Sequence, residues 1–178
     1  MSKFKSKFDL VEGLRDIYDY REKFDVFLAC TFESCERGNE KFDFYDKIGK
    51  VVESVGKKPY LPHKEIDLNW PAEKIYDIPN QIVIPSSDIV IGYLGVQSYA
   101  AGIMIGSAFN YRIPVSYLYE KESGLDALKY QRTDLFTGET QTVDPGFRGN
   151  IYDLIEFENE EEALEKLKLS LEVFYKHG

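Results

Sequence analysis

Three apolar runs constrain this chain most: "FDVFLACTF" (24–32), "SDIVIGYLG" (87–95) and "IPVSYLYE" (113–120). Each is apolar almost throughout and does not alternate with polar residues, as expected for a strand covered on both faces. Each is also far shorter than the ~18 residues of a membrane span. Between the second and third lies "SYAAGIMIGSAFN" (98–110), which has the length of one helix. Strands and helices alternating at such short intervals predict βαβ units. The expected class is therefore α/β, with a doubly wound, mainly parallel sheet of about five strands and helices on both faces.

The rest of the chain fits this frame. Phe8, Leu10, Val11, Leu14, Ile17 and Tyr18 recur at helical spacing and predict an amphipathic helix over about residues 8–22. Phe44, Tyr45, Ile48, Val51, Val52 and Val55 form a second stripe, ended by Gly56. "KPYLP" (58–62) reads as a short strand closed by Pro62, and "HKEIDLNWPAEK" as a polar loop. A helix is expected over 72–85, kinked or divided by Pro79. "TDLFTGETQTV" (133–143) predicts a hairpin turning at Thr137-Gly138, and "IYDLIEF" (151–157) a last strand. Asn159 should cap a final helix with Glu160, Glu161 and Glu162 in its positive first turn. Leu164, Leu167, Leu171 and Phe174 are its expected core face. No repeat or linker divides the chain. The expectation is one domain over 1–178: an N-terminal helix (1–22), an α/β core (24–120), then hairpin, strand and helix (121–178).

A net charge of −9 disfavours nucleic-acid polymers as partners, because an acidic surface repels a phosphate backbone. A single nucleotide held by backbone N–H groups is not subject to that objection. With no span-length apolar run and no apolar signal core near the start, a cytoplasmic protein without membrane association is expected. Cys30 and Cys35 lack neighbouring partner ligands, and His63 and His177 are the only histidines, so neither a metal nor a cofactor is expected.

Ligands of open α/β sheets bind beyond the carboxyl ends of the strands. Three loops leave such ends: Cys30 to Asn39, Pro62 to Pro71, and Gly95 to Tyr99. Ser98 can cap the small-residue helix and donate to a ligand at its positive end. Gly102 and Gly106 share one helix face, which suits close packing on the sheet as well as approach of a ligand. His63 can contact a base or transfer a proton, or simply bond a backbone carbonyl. Phe32 and Trp70 can stack on a base or pack in loops. Neither a G-x-G-x-x-G nor a P-loop motif is present.

"DVFLACTF", "SDIVIGYLG" and "SYAAGIMIGSAFNYRIPV" together resemble the nucleoside 2-deoxyribosyltransferases and the related 2'-deoxynucleoside 5'-phosphate N-hydrolases over roughly residues 24–120. The last is similar to a pattern S-x-G-x-G-x-E-x-G-x-A followed by a strand. The resemblance implies a flavodoxin-like fold. It also implies N-glycosidic chemistry in which a glutamate attacks the anomeric carbon and an aspartate assists proton transfer. Ser98 matches the serine that binds the 5'-phosphate, Thr31 a phosphate-contacting serine, and Gly102 and Gly106 the glycines flanking the glutamate. The glutamate's own position is Met104, the aspartate's is Asn80, and an arginine of the first loop is replaced by Glu33. A thioether and an amide cannot do the work of two carboxylates. Glu33 is the best substitute among Glu33, Glu65, Asp67 and Asp77, all near crevice loops, although in a chain with 31 acidic residues ordinary solvated carboxylates are the favoured reading of all four.

The expected function is a nucleoside 2-deoxyribosyltransferase-like protein that binds a nucleoside or nucleotide. Any cleavage or exchange of the N-glycosidic bond would need non-standard catalytic groups. The alternatives are a non-catalytic nucleotide-binding module and an oligomeric structural α/β protein. The expected ligand-binding set is Cys30, Thr31, Phe32, His63, Asn80, Gly95, Ser98, Ala100, Gly102 and Met104. The resemblance also implies a homodimer or higher homo-oligomer, for which the N-terminal helix and the 133–150 hairpin are candidate interfaces.

Overall fold

The computed structural model describes residues 7–31, 41–96, 98–121, 130–133, 140–143 and 151–177 of the 178-residue chain. Its elements are α1 (Lys7–Tyr18), β1 (Val26–Ala29), α2 (Phe42–Ser54), β2 (Pro59–Tyr60), a short α3 (Pro62–Glu65), α4 (Ala72–Asp77), β3 (Ile89–Tyr93) and α5 (Tyr99–Tyr111). They continue with β4 (Val115–Glu120), β5 (Tyr130–Thr133), β6 (Thr140–Val143), β7 (Ile151–Phe157) and α6 (Glu160–His177). A five-stranded sheet runs in the order β2-β1-β3-β4-β7, every neighbouring pair parallel. This is the α/β class expected, with the strand order of flavodoxin-like folds. β5 and β6 form a separate antiparallel pair, Tyr130 opposite Val143 and Thr133 opposite Thr140. The hairpin thus begins three residues earlier than expected, and its Thr137-Gly138 turn lies outside the described residues.

The apolar runs are sandwiched because each supplies both layers. Val26, Leu28 and Cys30 of the first run, with Ile89, Ile91 and Tyr93 of β3, face α2 and α6. Phe27, Ala29, Val90, Val115 and Tyr117 face α1, α4 and α5. All five residues of β3 are buried. Full burial of each large side chain contributes about 1.5–3 kcal/mol. On α6, Leu167 and Leu171 are fully buried as the stripe predicted, and Asn159 Oδ1 accepts from Glu162 N at 3.0 Å.

Two boundaries differ from expectation. α1 stops at Tyr18, not near residue 22, because Asp19 turns left-handed at φ 49°. Arg15, 4% exposed, folds the chain back by donating to Tyr20 O, Glu22 O and Ser86 Oγ. Ile17, placed on the core face by its spacing, is 71% exposed. Pro62 does not simply close β2: it opens the one-turn α3, since its missing N–H is harmless at a first helical position. Pro79 divides the 72–85 helix as expected. After α4 the chain widens into a π-helical segment, Ile78–Val83, where Ile84 N bonds Pro79 O, and then tightens into a 3-10 turn, Ile84–Ser86.

Gly92 decides how close α5 lies to the sheet. A Cβ there would sit 3.0 Å from Tyr117 Cδ1 and 3.3 Å from Ile105 Cδ1 of α5. Glycine in the middle of a strand costs conformational entropy, and here it makes room for those two side chains. Gly92→Ala is expected to lower the unfolding free energy by about 1–3 kcal/mol in urea denaturation. Gly49→Ala, whose methyl would meet only the tip of Leu61, is expected to stay within about 1 kcal/mol of the parent.

Candidate functional site

The order β2-β1-β3 places the topological switch point between β1 and β3. Thr31, 5% exposed, follows the end of β1, and the Leu94–Val96 segment leaves β3 toward α5. Ser98 is extended (φ −147°, ψ 126°), and its Oγ accepts from Ala101 N at 3.2 Å, so it caps α5 as its sequence position predicted. Gly102 N bonds Ser98 O and begins the helical ladder.

The two glycines of α5 are not the close-packing device their spacing suggests. A Cβ at Gly102 or Gly106 would meet nothing within 4 Å. α5 approaches the sheet through Ala101, Met104, Ile105 and Ala108, over the gap left by Gly92. The glycine face points away from the sheet.

Asn80 and Met104 are brought together. Both line a cavity of about 130 Å³ between α4 and α5, with Ala100, Ile75, Tyr76 and Ile103. Met104 is 2% exposed and belongs to the core on this side of the sheet. Asn80 is 3% exposed and satisfied at both ends of its amide. Its Nδ2 donates to Tyr76 O at 2.9 Å, and its Oδ1 accepts from Ser107 Oγ at 3.0 Å. An ionised aspartate could not make the first of these bonds. Drug-sized ligands occupy about 300–1,000 Å³, so this cavity by itself has room for a ring and not for a nucleoside. A larger groove of about 680 Å³ follows the outer side of β7 and α6 past Leu154, Lys166 and Leu169, and none of the expected site residues line it.

The remaining candidates are dispersed. Cys30 is fully buried on the α2 side, and burial pushes its thiol pKa up, which makes it a packing residue. His63 sits on α3 with its side chain 5% exposed and stacks on Phe42 at 4.9 Å. Its Nε2 pairs with Asp46 Oδ1 at 2.8 Å, a side-chain carboxylate where a backbone carbonyl was the expected alternative. Lys64 Nζ reaches the same oxygen at 2.7 Å. Burial raises the Asp46 pKa, but the hydrogen bonds and charges of Lys64 and His63 outweigh it and hold the carboxyl below its usual range. Trp70 packs against the α1-side core with Lys74 Nζ 4.4 Å from its ring centre. Asp77 accepts from Tyr18 Oη at 2.5 Å, and Asp67 accepts from Asn69 N and Nδ2. Burial, then Glu22, raises the pKa of Glu65. Phe32 and Glu33 lie outside the described residues.

Sequence reasoning missed Glu120. It ends β4, beside Tyr93 at the end of β3. Tyr93 Oη donates to its Oε1 at 2.8 Å, and Lys41 Nζ reaches the same oxygen at 3.2 Å. Strand alternation was the available signal, because both residues are the last of adjacent parallel strands and point to the same face. The Tyr93 ring also explains Gly95, where a Cβ would lie 2.0 Å from Tyr93 Oη. Gly95 is needed by that phenol.

No family model and no curated protein matches the chain. Solved structures do. The Clostridium botulinum CMP N-glycosidase BcmB matches with a TM-score of 0.55 at 18% identity, over 82% of this chain and 98% of that one. A conserved protein from Enterococcus faecalis V583 matches with a TM-score of 0.54 at 17% identity, over 83% and 99%. At these identities the likeness is one of fold.

The Asp46 pairing has a pH signature. A carboxyl whose folded pKa is depressed contributes stability above its unfolded pKa of about 3.9 and loses it as the pH falls through the folded value. Asp46→Asn is therefore expected to be less stable than the parent at neutral pH. The two should converge as the pH drops below about 4, read by thermal melts across an acid series.

Proposed function

We propose that this chain is a nucleotide- or nucleoside-binding relative of the N-glycosidic-bond enzymes that binds its ligand without cleaving it. The observation that carries this reading is the pair Asn80 and Met104. They share one cavity wall and stand where the resemblance puts that family's two carboxylates, and the Asn80 amide is bonded at both its nitrogen and its oxygen to its own scaffold. Retaining glycosyl transfer needs a carboxylate nucleophile and a second acid or base near the anomeric carbon. An amide and a thioether supply neither.

The binding functions do not depend on those carboxylates. An α-helix leaves its first N–H groups without partners in the helix. Ser98 takes that of Ala101, so a bound phosphate would meet the N–H groups of Tyr99 and Ala100 and the Ser98 hydroxyl. Thr31, at the end of β1, faces the same switch point in this reading. The cavity beside Met104 accepts a ring edge, and the rest of the ligand lies in the crevice above it. The fold shared with a CMP N-glycosidase supports a nucleotide-type small molecule as the ligand class.

Glu120 favours a second reading. It is a carboxylate at the carboxyl end of a central strand, bonded by a phenol and an ammonium. In that reading the chain turns over with Glu120 as its relocated acid or base.

The test is a panel of deoxynucleosides, ribonucleosides and their 5'-monophosphates, with thermal shift as one readout and free base by chromatography as the other. At least one monophosphate is expected to raise Tm, by an amount equivalent to about 2.7 kcal/mol at a hundredfold excess over Kd, with no base released. Ser98→Asp keeps a good helix cap and sets a carboxylate against the phosphate, so it should abolish the shift while the unliganded Tm holds. Base release by the parent overturns the binding-only reading, and its loss in Glu120→Gln then supports the second. Neither stabilisation nor release across the panel leaves the structural alternative.

A further inference from the structure

The outer edges of a sheet's two end strands carry unpaired backbone groups, and these recruit further strands unless they are blunted. β2 and β7 are the end strands here. β2 is two residues long and begins with Pro59, which has no N–H to offer. β7 runs for seven residues without a proline. It also forms one wall of the groove of about 680 Å³, whose other wall is α6. α6 carries two apolar stripes. Ala163, Leu167 and Leu171 are buried on the sheet, whereas Leu169, 63% exposed, and Val173, 51% exposed, line the groove with exposed Tyr152 and Leu154 of β7. Ser170, small and buried, lies between them on the helical wall.

The hydrogen bonds of β7 define what can pair with it. Lys121 N donates to Phe157 O at 2.8 Å, so Phe157 turns its backbone groups toward β4. Successive residues of a strand alternate in this direction, so Ile155 does the same, and Leu154 and Glu156 turn theirs outward. Two of these four outward groups are already bonded. Leu154 N donates to Asp153 Oδ1 at 2.8 Å, and Lys166 Nζ donates to Glu156 O at 2.8 Å. The other two, Leu154 O and Glu156 N, flank Ile155 and have no partner among the described residues. In a parallel ladder, one residue of an added strand donates to the carbonyl before its opposite number and accepts from the N–H after it. A residue opposite Ile155 meets those two groups. An antiparallel strand would need both groups of Leu154 or both of Glu156, and one of each is taken.

We propose that β7 accepts a sixth strand: an extended peptide segment of another protein, parallel to β7, with an apolar residue opposite Ile155 and a basic residue opposite Glu156. The apolar residue points to the α6 side, as Ile155 does, over Leu169, Ser170 and Val173. The basic residue points to the other face, where Glu156 stands beside Tyr119 of β4. Charge selects this class of partner. The Asp153 and Glu156 carboxylates line the groove without a salt bridge among the described residues. Its one lysine, Lys166, is paired with Glu162 Oε1 at 2.7 Å, and the whole chain carries −9. In strand addition the main chain supplies affinity and the alternating side chains supply specificity. The groove shares no residue with the α4–α5 cavity, so the proposal is independent of nucleotide binding.

The test is fluorescence anisotropy of a fluorescein-labelled peptide, Ser-Thr-Val-Leu-Lys-Thr-Ser, titrated with the full chain, with circular dichroism to confirm folding of each variant. In the proposed register its leucine lies opposite Ile155 and its lysine opposite Glu156. Saturable binding in the micromolar range is expected. N-methylation of the leucine removes the N–H that meets Leu154 O and should weaken binding about tenfold. N-methylation of the lysine, whose N–H turns away from β7, should leave most of the affinity. Leu169→Asp and Glu156→Lys, both at exposed positions, should each weaken binding about tenfold, and a peptide with glutamate in place of lysine should recover it on Glu156→Lys. No saturable binding by the folded parent at millimolar concentration overturns the proposal, whether a second copy or the chain's own residues cover the edge. Full binding of the N-methyl-leucine peptide overturns pairing with the edge. Equal loss from the two N-methyl peptides, or a folded Glu156→Lys that binds as the parent does, overturns the register.

Discussion

The structure depends on the burial of β1 and β3 from both sides. Neither strand has a polar face, so each requires a helical layer above and below before its side chains leave water. α2 and α6 provide one layer, and α1, α4 and α5 the other. Gly92 tunes the second layer: its missing side chain lets Tyr117 and Ile105 meet over β3. The seat of α5 on the sheet, and with it the position of Ser98 and the cavity beside Met104, follows from that one gap.

The α4–α5 seam is closed by uncharged residues. Two carboxylates at the positions of Asn80 and Met104 would be buried at 3% and 2% exposure, and buried charge is costly unless it is paired. The residues present carry no such cost. Asn80 uses donor and acceptor together to tie the π-helical segment after α4 to α5, and Met104 fills space with a flexible apolar chain. An uncharged seam can pack tightly, and the cavity left in it is small, about 130 Å³. The carboxylate that does stand at a strand end, Glu120, is on the opposite side of the sheet and bonded to Tyr93 and Lys41.

Local chemistry made parts of this legible in advance. The Ser98 and Asn159 caps, the division at Pro79 and the α6 core stripe each depend on residues close in sequence, and all are found. The contacts that residue spacing does not reveal depend on distant partners. The reason for Gly95 is Tyr93 across a turn, the partner of His63 is Asp46 from another helix, and the buried Arg15 answers carbonyls beyond its own helix together with Ser86. The packing alternative for the α5 glycines fails for the same reason: their spacing says which face they share, and tertiary packing decides what that face meets.

By itself, the sequence determined the parallel α/β class, because strands without a polar face have few other ways to satisfy both sides. It also carried the resemblance in which Asn80 and Met104 stand at two carboxylate positions, since that reading is a matter of residue identity. Only the tertiary structure decided that Asn80 and Met104 share a cavity, that Glu120 is held by Tyr93, and that α5 turns its glycines outward. Each of these is a relation between residues far apart along the chain, and it exists only once the sheet has fixed the order β2-β1-β3-β4-β7 and the helices have settled on it.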